Sequence, residues 1–227
     1  MTLLAFECSL RRFTALLTDR DGAERATLER GPDAWRGEEI VALLDRLCRG
    51  CGLAWTDLEA LALAVGPGSF TGIRSAVAVA RGLALAASLP VYAVGTLEAL
   101  ASVGAKAANG APVAALLPGK RGQFYLQCFA ADGTALAPPA SRPAAALPAH
   151  LPREALVVTP DPAKLRDLSG RWEIRAALPD ARAVAAIAHG RRQTGERGLA
   201  GPHLEPLYLR AADANPRAGR PLVAPAG

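Results

Sequence analysis

The sequence predicts an α/β protein made of two related lobes, each with a mixed β-sheet and helices packed on it. Two observations predict this class. The first half alternates apolar strand and helix patterns in the order β-β-β-α-β-α-β-α, and the second half repeats the order more loosely. Three antiparallel strands followed by crossover helices require a sheet that is part antiparallel and part parallel. We place an amino-terminal lobe at 1–108, and a smaller, degenerate second lobe with an extended tail at 109–227.

Turn residues and helix breakers set the elements of the first lobe. Asp21-Gly22 is a hairpin turn, and Gly50 and Gly52 end the first long helix. The predicted strands are 2–8, 13–18, 23–29, 60–65 and 90–94; the predicted helices are 37–51, 73–88 and 96–108, with a helical turn at 56–59 and Thr96 as a helix cap.

The second lobe has weaker patterns and more proline. The predicted strands are 111–117, 122–130, 155–159 and 172–175, and a helix is predicted at 180–191. The proline- and alanine-rich stretch 138–152 is expected to be an exposed connection, and the chain after Gly195 an extended tail.

The composition fits a soluble protein with a sizeable core, because 51% of the 227 residues are hydrophobic and 21% are charged. The longest uncharged run, 82–97, is shorter than the roughly 18 residues of a membrane span. The start, Met1 to Glu7, lacks a secretory signal pattern. We therefore expect a cytoplasmic protein without membrane association. The net charge of +5 is dispersed, with no basic run longer than two residues, so it favours nucleic-acid binding only weakly.

The cysteines and histidines predict no metal or redox site. Cys48 and Cys51 form a C-x-x-C pair, but it ends a helix, whereas a redox pair should begin one. Zinc would need two further ligands near this pair. The remaining residues, Cys8, Cys128, His150, His189 and His203, are scattered.

The loop from Gly66 to Gly72 joins an apolar strand to the long helix 73–88. Backbone N–H groups at such a place can receive an anion, yet the spacing matches neither the dinucleotide fingerprint nor the lysine-containing phosphate loop. A tight turn stiffened by Pro67 is the other interpretation. The helix is apolar or small on nearly every side, which indicates burial on two sides. The second side is covered either within the fold or by a partner helix, and the sequence leaves both open.

The segment Gly-Pro-Gly-Ser-Phe-Thr-Gly-Ile-Arg at 66–74 resembles the signature of the bacterial TsaB (YeaZ) family. Leu97 to Ala101 and Glu205 to Arg210 extend the resemblance over most of the chain. This family is the dimerisation subunit of the machinery that makes threonylcarbamoyladenosine beside the tRNA anticodon. The resemblance implies an actin-like ATPase (ribonuclease H-like) fold of two lobes. It also implies a non-catalytic scaffold that binds the catalytic paralogue TsaD, with the ATPase TsaE completing the complex.

The resemblance further implies where partners and cofactors bind. Family members pair through the first two helices of the amino-terminal lobe. The candidate interface residues are therefore Leu43, Leu47, Ser75, Val79, Ala80, Gly82, Leu83 and Ala86. ATP and metal are expected in the partner subunits, and tRNA only through the complex. The sequence leaves open whether the chain is a homodimer or a monomer when its partner is absent, because one interface could serve both.

Two departures from the family pattern bear on catalysis. The first strand ends in Glu7-Cys8-Ser9 where the family usually has Asp-Thr-Ser, and Pro118-Gly119-Lys120-Arg121 replaces Asp-Ala-Arg. One acid is displaced and one is missing, so ATP hydrolysis is not expected. The cofactor-binding candidates are Glu7, Gly66, Gly68 and Gly72. The alternative function is an actin-like phosphotransferase or peptidase-like enzyme acting alone, and direct tRNA binding by the basic carboxy-terminal half is a third.

Overall fold

The computed structural model describes residues 1–32 and 34–209. Arg210 and the tail that follows it lie outside the described residues, so the predicted extended tail is described only up to residue 209. The strands are β1 (Leu3–Glu7), β2 (Phe13–Thr18), β3 (Glu24–Arg30), β4 (Ala60–Ala64), β5 (Val91–Val94), β6 (Val113–Pro118), β7 (Gln123–Phe129), β8 (Ala140–Pro143), β9 (Leu156–Thr159) and β10 (Ile174–Ala176). The helices are α1 (Ile40–Gly50), α2 (Phe70–Ala87), α3 (Thr96–Ala105) and α4 (Ala181–Gln193).

The strands form two five-stranded sheets with the same connectivity. The first sheet has the order β3-β2-β1-β4-β5, and the second has β8-β7-β6-β9-β10. In both sheets the first three strands along the chain are antiparallel, and the last two add in parallel. The predicted fold class, two related lobes with mixed sheets in an actin-like ATPase (ribonuclease H-like) arrangement, is therefore confirmed.

The second lobe is reduced by the loss of two long helices. Short 3-10 helices, Ala144–Ala149 and Pro162–Leu168, stand where α1 and α2 stand in the first lobe. The prediction of an exposed connection at 138–152 is wrong. Part of it pairs with β7 as the edge strand β8, and Leu147 is fully buried against the second sheet. Strand β8 forms because the edge of β7 offers unpaired backbone hydrogen-bonding groups. A local sequence pattern does not show that this edge is available.

The last helix of each lobe packs on the sheet of the other lobe. From α3, Leu97 and Leu100 pack in the core of the second sheet, and Val184 of α4 packs in the core of the first. Where the two helices meet, the Arg191 guanidinium donates to both oxygens of Glu98 at 2.8 Å. The predicted boundary after residue 108 falls in the connection between α3 and β6. Two of the hydrophobic clusters nevertheless contain residues from both sides of this boundary.

Two local features set where α2 and α3 begin. Helix α2 begins at Phe70, three residues earlier than the predicted start, because the Ser69 hydroxyl accepts the Gly72 N–H. Thr96 does not cap α3, since its hydroxyl is buried without a hydrogen-bond partner among the described residues. The Glu98 carboxylate accepts the Gly95 N–H instead, at 3.3 Å.

The segment 198–208, which we name the carboxy-terminal strap, runs beside β5 and α2. Leu199 forms an antiparallel bridge with Val91. The Arg81 side chain donates to the Leu204 carbonyl at 2.8 Å, and the Leu207 N–H donates to the Val65 carbonyl at 2.8 Å. The strap therefore carries residues from the end of the chain to the glycine-rich loop.

Candidate functional site

Glu7, a cofactor-binding candidate, lies buried at the end of β1. One carboxylate oxygen accepts the Ser9 N–H at 2.6 Å and the Ser9 hydroxyl, while the other has no hydrogen-bond partner among the described residues. Burial raises the pKa of Glu7 to about 7, and the hydrogen bonds from Ser9 oppose that rise. Its carboxylate is turned to its own backbone rather than to any of the larger surface pockets of the described chain.

The glycines of the 66–72 loop permit close packing within the chain. A Cβ added to Gly68 would lie 2.2 Å from the Ser9 carbonyl oxygen, and one added to Gly72 would lie 2.3 Å from the Cys8 carbonyl oxygen. Gly66 has a φ of +116°, and its Cβ would lie 2.7 Å from the Leu207 carbonyl oxygen. These contacts show that main-chain carbonyl oxygens face the Cα atoms of the glycines, which agrees with the tight-turn interpretation of the loop. Binding of a cofactor by the backbone N–H groups of the loop stays a prediction.

A cleft of about 640 Å³ opens between the two lobes. The first lobe contributes Ser9 to Arg11 and Gly68 to Thr71, and the second contributes Leu117 to Lys120 and Tyr125. Tyr208 of the carboxy-terminal strap completes the lining. Glu7 is not among the residues that line this cleft.

The aromatic rings of Phe70 and Tyr208 lie at one side of the cleft. The rings of Phe70 and Tyr208 lie 5.6 Å apart with an interplanar angle of 31°, and both side chains are about half exposed. The Arg74 guanidinium lies 4.9 Å from the centre of the Phe70 ring, within range of a cation–π interaction. The sequence motifs contained Phe70 and Tyr208, but nothing local showed that residues so far apart in the chain would meet.

The predicted partner residues divide between core and surface. Leu43, Leu47 and Ala80 are buried in the chain's own core, which leaves little of their surface for a partner, and their assignment to a partner surface stays a prediction. They lie on the sides of α1 and α2 that pack on the first sheet. Ser75, Val79 and Leu83 are half-buried, and Gly82 and Ala86 are exposed.

The exposed face of α2 also contains residues that the sequence did not single out. Leu85 is 77% exposed, and Ala78 is exposed on the same side. Residues 78, 82 and 85 recur at helical spacing opposite the buried stripe of Ile73, Val77 and Ala84, and this spacing was the available signal. We name the exposed apolar surface of Ala78, Gly82, Leu85 and Ala86 the α2 face. Of the two arrangements left open for this helix, complete coverage within its own fold is wrong.

Length and composition alone would allow α2 to span a membrane, and it is the one such helix in the described part of the chain. Core helices of soluble proteins pass the same test, and one side of α2 packs on the first sheet. The expected lack of membrane association stays a prediction.

The cysteines and histidines are accounted for by local packing. Burial raises the pKa of Cys48 to about 11, which favours the thiol over the reactive thiolate. The His189 ring lies 3.0 Å from the Thr18 hydroxyl, and burial lowers its pKa. Across residues 1–32 and 34–209, no group of three or more Cys, His, Asp and Glu side chains is placed to hold a metal ion.

The comparisons with known protein families and sequences agree with each other. A family model described as "TsaD: tRNA N6-adenosine threonylcarbamoyltransferase" matches residues 37–155, just over half of the chain. The chain is 36% identical over 126 residues to the tRNA threonylcarbamoyladenosine biosynthesis protein TsaB of Escherichia coli strain K12, an alignment that covers 55% of this chain and 53% of that protein. It is 30% identical over 125 residues to the Haemophilus influenzae protein of the same name, covering 55% of this chain and 52% of that one. The chain thus spans about half the length of the curated relatives it matches.

Among solved structures, the chain is similar to YeaZ from Pseudomonas aeruginosa. The TM-score is 0.79 at 24% identity, and the superposition covers 91% of this chain and 100% of that one. A likeness at this identity establishes the fold, and it agrees with the two-lobe topology described above.

Proposed function

This chain belongs to the family described as "TsaD: tRNA N6-adenosine threonylcarbamoyltransferase", with TsaB (YeaZ) proteins as relatives, and we propose that it is a TsaB-type subunit in tRNA threonylcarbamoyladenosine biosynthesis. In this proposal the chain has no catalytic group of its own and works in the cytoplasm. It binds and supports a TsaD-type catalytic paralogue, and a TsaE-type ATPase completes the complex. ATP and metal belong to those partners. Without them, a homodimer uses the same surface.

The observation that carries this proposal is the α2 face. Apolar residues are exposed there along a little over two turns of one helix, although most apolar residues of α2 pack inward. A contiguous exposed apolar surface on a soluble protein is typical of an interaction site. Ala78, Gly82 and Ala86 are small, so a partner helix can approach the backbone of α2 closely.

The interlobe cleft supports the non-catalytic part of the proposal. None of the described residues that line it is Asp or Glu, and Lys120 lies in the second-lobe turn that lines it. Magnesium bound to a nucleotide normally uses at least one protein carboxylate. The cleft therefore gives no support to the alternative of a phosphotransferase acting alone.

Substitution of Gly82 by arginine tests the α2 face directly. A Cβ at Gly82 meets no atom within 4 Å, so Gly82→Arg should leave the fold intact and gain about 0.8 kcal/mol of helix propensity. Gly190→Arg is the matched control, because Gly190 is also an exposed glycine inside a helix with open space around it. Binding to a purified TsaD-type partner is measured by multi-angle light scattering.

The expected result is a heterodimer with the unmodified chain and with Gly190→Arg, and none with Gly82→Arg. Circular dichroism should show a folded protein in all three cases. The proposal is wrong if the unmodified chain forms no heterodimer, and the α2 face is wrongly assigned if Gly82→Arg binds as well as the control does.

A further inference from the structure

The cleft between the lobes places three aromatic rings around one opening. The ring centres of Phe70 and Tyr208 lie 5.6 Å apart with an interplanar angle of 31°, and Tyr125 lines the same space from β7. Roughly half of the Phe70 and Tyr208 surface remains exposed, although burying such rings would stabilise the fold. The parts of these rings that Arg74 and the neighbouring ring leave exposed offer flat surfaces on which a planar ligand can stack.

In the described part of the chain, the charged side chains that line the same cleft are basic. Lys120 and Arg11 line it, and Arg74 lies over Phe70 at its edge. Among the described residues that line the cleft there is no carboxylate. Positive charge beside exposed rings is the arrangement used to bind single-stranded nucleic acid, in which bases stack and phosphates pair with cations.

A free nucleoside triphosphate fits this cleft less well than a nucleic-acid strand. The loop that lines the cleft has neither the glycine spacing of the dinucleotide fingerprint nor the lysine of a phosphate loop. No carboxylate is in place among the lining residues to hold the magnesium ion of a triphosphate. A strand needs neither feature, because its phosphates are single charges spaced along the backbone.

We propose that the interlobe cleft binds a single-stranded segment of RNA, with bases stacked on Phe70 and Tyr208 and a phosphate beside Lys120. The identification of this RNA as the tRNA of the assembled complex rests on the proposed function. Loops and ends of RNA are the parts whose bases are free to stack on protein rings. The cleft would then hold a tRNA loop or end while the catalytic partner acts.

The test uses the full chain, both alone and in complex with a TsaD-type partner. The probe is an unmodified transcript of a tRNA with adenosine beside the anticodon, fluorescently labelled, and affinity is measured by anisotropy at several salt concentrations. The variants are Phe70→Ala, Phe70→Trp and Lys120→Ala. Lys106→Ala is the matched control, since it removes the same charge at the far end of α3, away from the cleft lining.

Loss of the Phe70 ring should weaken tRNA binding by the complex about tenfold, the typical effect of losing one stacked base, and Phe70→Trp should preserve binding. Lys120→Ala should weaken binding and lower the salt slope by about 0.7, while Lys106→Ala changes neither. Crosslinking of a 4-thiouridine transcript should label the tryptic peptide 50–74 or the peptide 198–210.

The proposal is overturned if Phe70→Ala and Lys120→Ala bind tRNA as the control does. It is also overturned if Phe70→Ala weakens only the association with the partner protein, because the rings then belong to a protein interface. The proposal is overturned as well if the chain binds ATP and Phe70→Ala abolishes that binding while tRNA binding is unchanged. The cleft would then be a site for a free nucleotide. If the unmodified chain forms no complex, the proposed function fails. The same variants are then compared as isolated chains, and absence of RNA binding by the isolated chain overturns the RNA site.

Discussion

Replacing Glu7 by glutamine should remove most of the pH dependence of stability between pH 5 and pH 8.5. Glu7 is buried, and one of its carboxylate oxygens has no hydrogen-bond partner in the described chain. Burial raises its pKa from 4.5 to about 7. Because the folded state holds the proton more tightly than the unfolded state, the stabilisation is complete below pH 4.5 and is lost as the pH rises through 7.

The magnitude follows from the shift in pKa. A rise from 4.5 to about 7 corresponds to roughly 3 kcal/mol, at 1.36 kcal/mol for each pH unit. Between pH 5 and pH 8.5 the unmodified chain should therefore lose about 2 to 3 kcal/mol of unfolding free energy. Glutamine keeps the acceptor for the Ser9 N–H and nearly the same volume, but it does not titrate.

Urea denaturation at four pH values between 5 and 8.5 measures this difference. The Glu59→Gln variant is the matched control, because hydrogen bonding from the Thr2 N–H lowers the pKa of Glu59 and its contribution changes only in more acidic solution. Burial lowers the pKa of His189, so its contribution to the unfolding free energy decreases as the pH falls below 6.5. This effect is the same in all three proteins. Parallel pH profiles for the unmodified chain and Glu7→Gln would refute the argument from burial.

Three further predictions concern packing and ligands. Gly68→Ala should lower the unfolding free energy by more than about 2 kcal/mol, because the new Cβ would lie 2.2 Å from the Ser9 carbonyl oxygen. Gly170→Ala is the control, because Gly170 has open space around it, and it should change the unfolding free energy by less than about 0.5 kcal/mol in the same denaturation assay. Arg191→Ala should cost about 1 to 2 kcal/mol, since it removes the half-buried ion pair with Glu98 between α3 and α4; an unchanged denaturation midpoint would contradict this. Calorimetric titration of the full chain with magnesium and ATP should give no magnesium-dependent binding, and a saturable, magnesium-dependent signal would contradict the assignment of ATP to the partners.

Much of the fold could be predicted from local patterns. Short apolar runs and the Asp21-Gly22 turn predict the opening strands, and each predicted strand of the first sheet is present. Helix α4 begins where Asp180 caps it, with the carboxylate accepting the Ala183 N–H at 2.8 Å. These features depend on residues within one or two turns of each other, so the sequence encodes them directly.

The site was less predictable because α2 is apolar or small on nearly every side. A helix with strong contrast between its faces shows which one is buried, but alanine and glycine on every side of α2 gave no such contrast. The sequence pattern of α2 therefore does not show that Ala80 lies in the core or that Leu85 is exposed. The loop glycines were equally ambiguous, since the same residues serve an anion site or a close backbone approach.

By itself, the sequence determined the two-lobe class, most of the elements and the family resemblance. Only the tertiary structure decided that α3 and α4 cross to the opposite sheets, that the loop glycines lie against Cys8 and Ser9, and that Phe70 meets Tyr208. The physical reason is that these contacts join segments far apart in the chain. Which apolar surfaces meet is settled by the free energy of burying all of them together, and no local window of sequence contains that information.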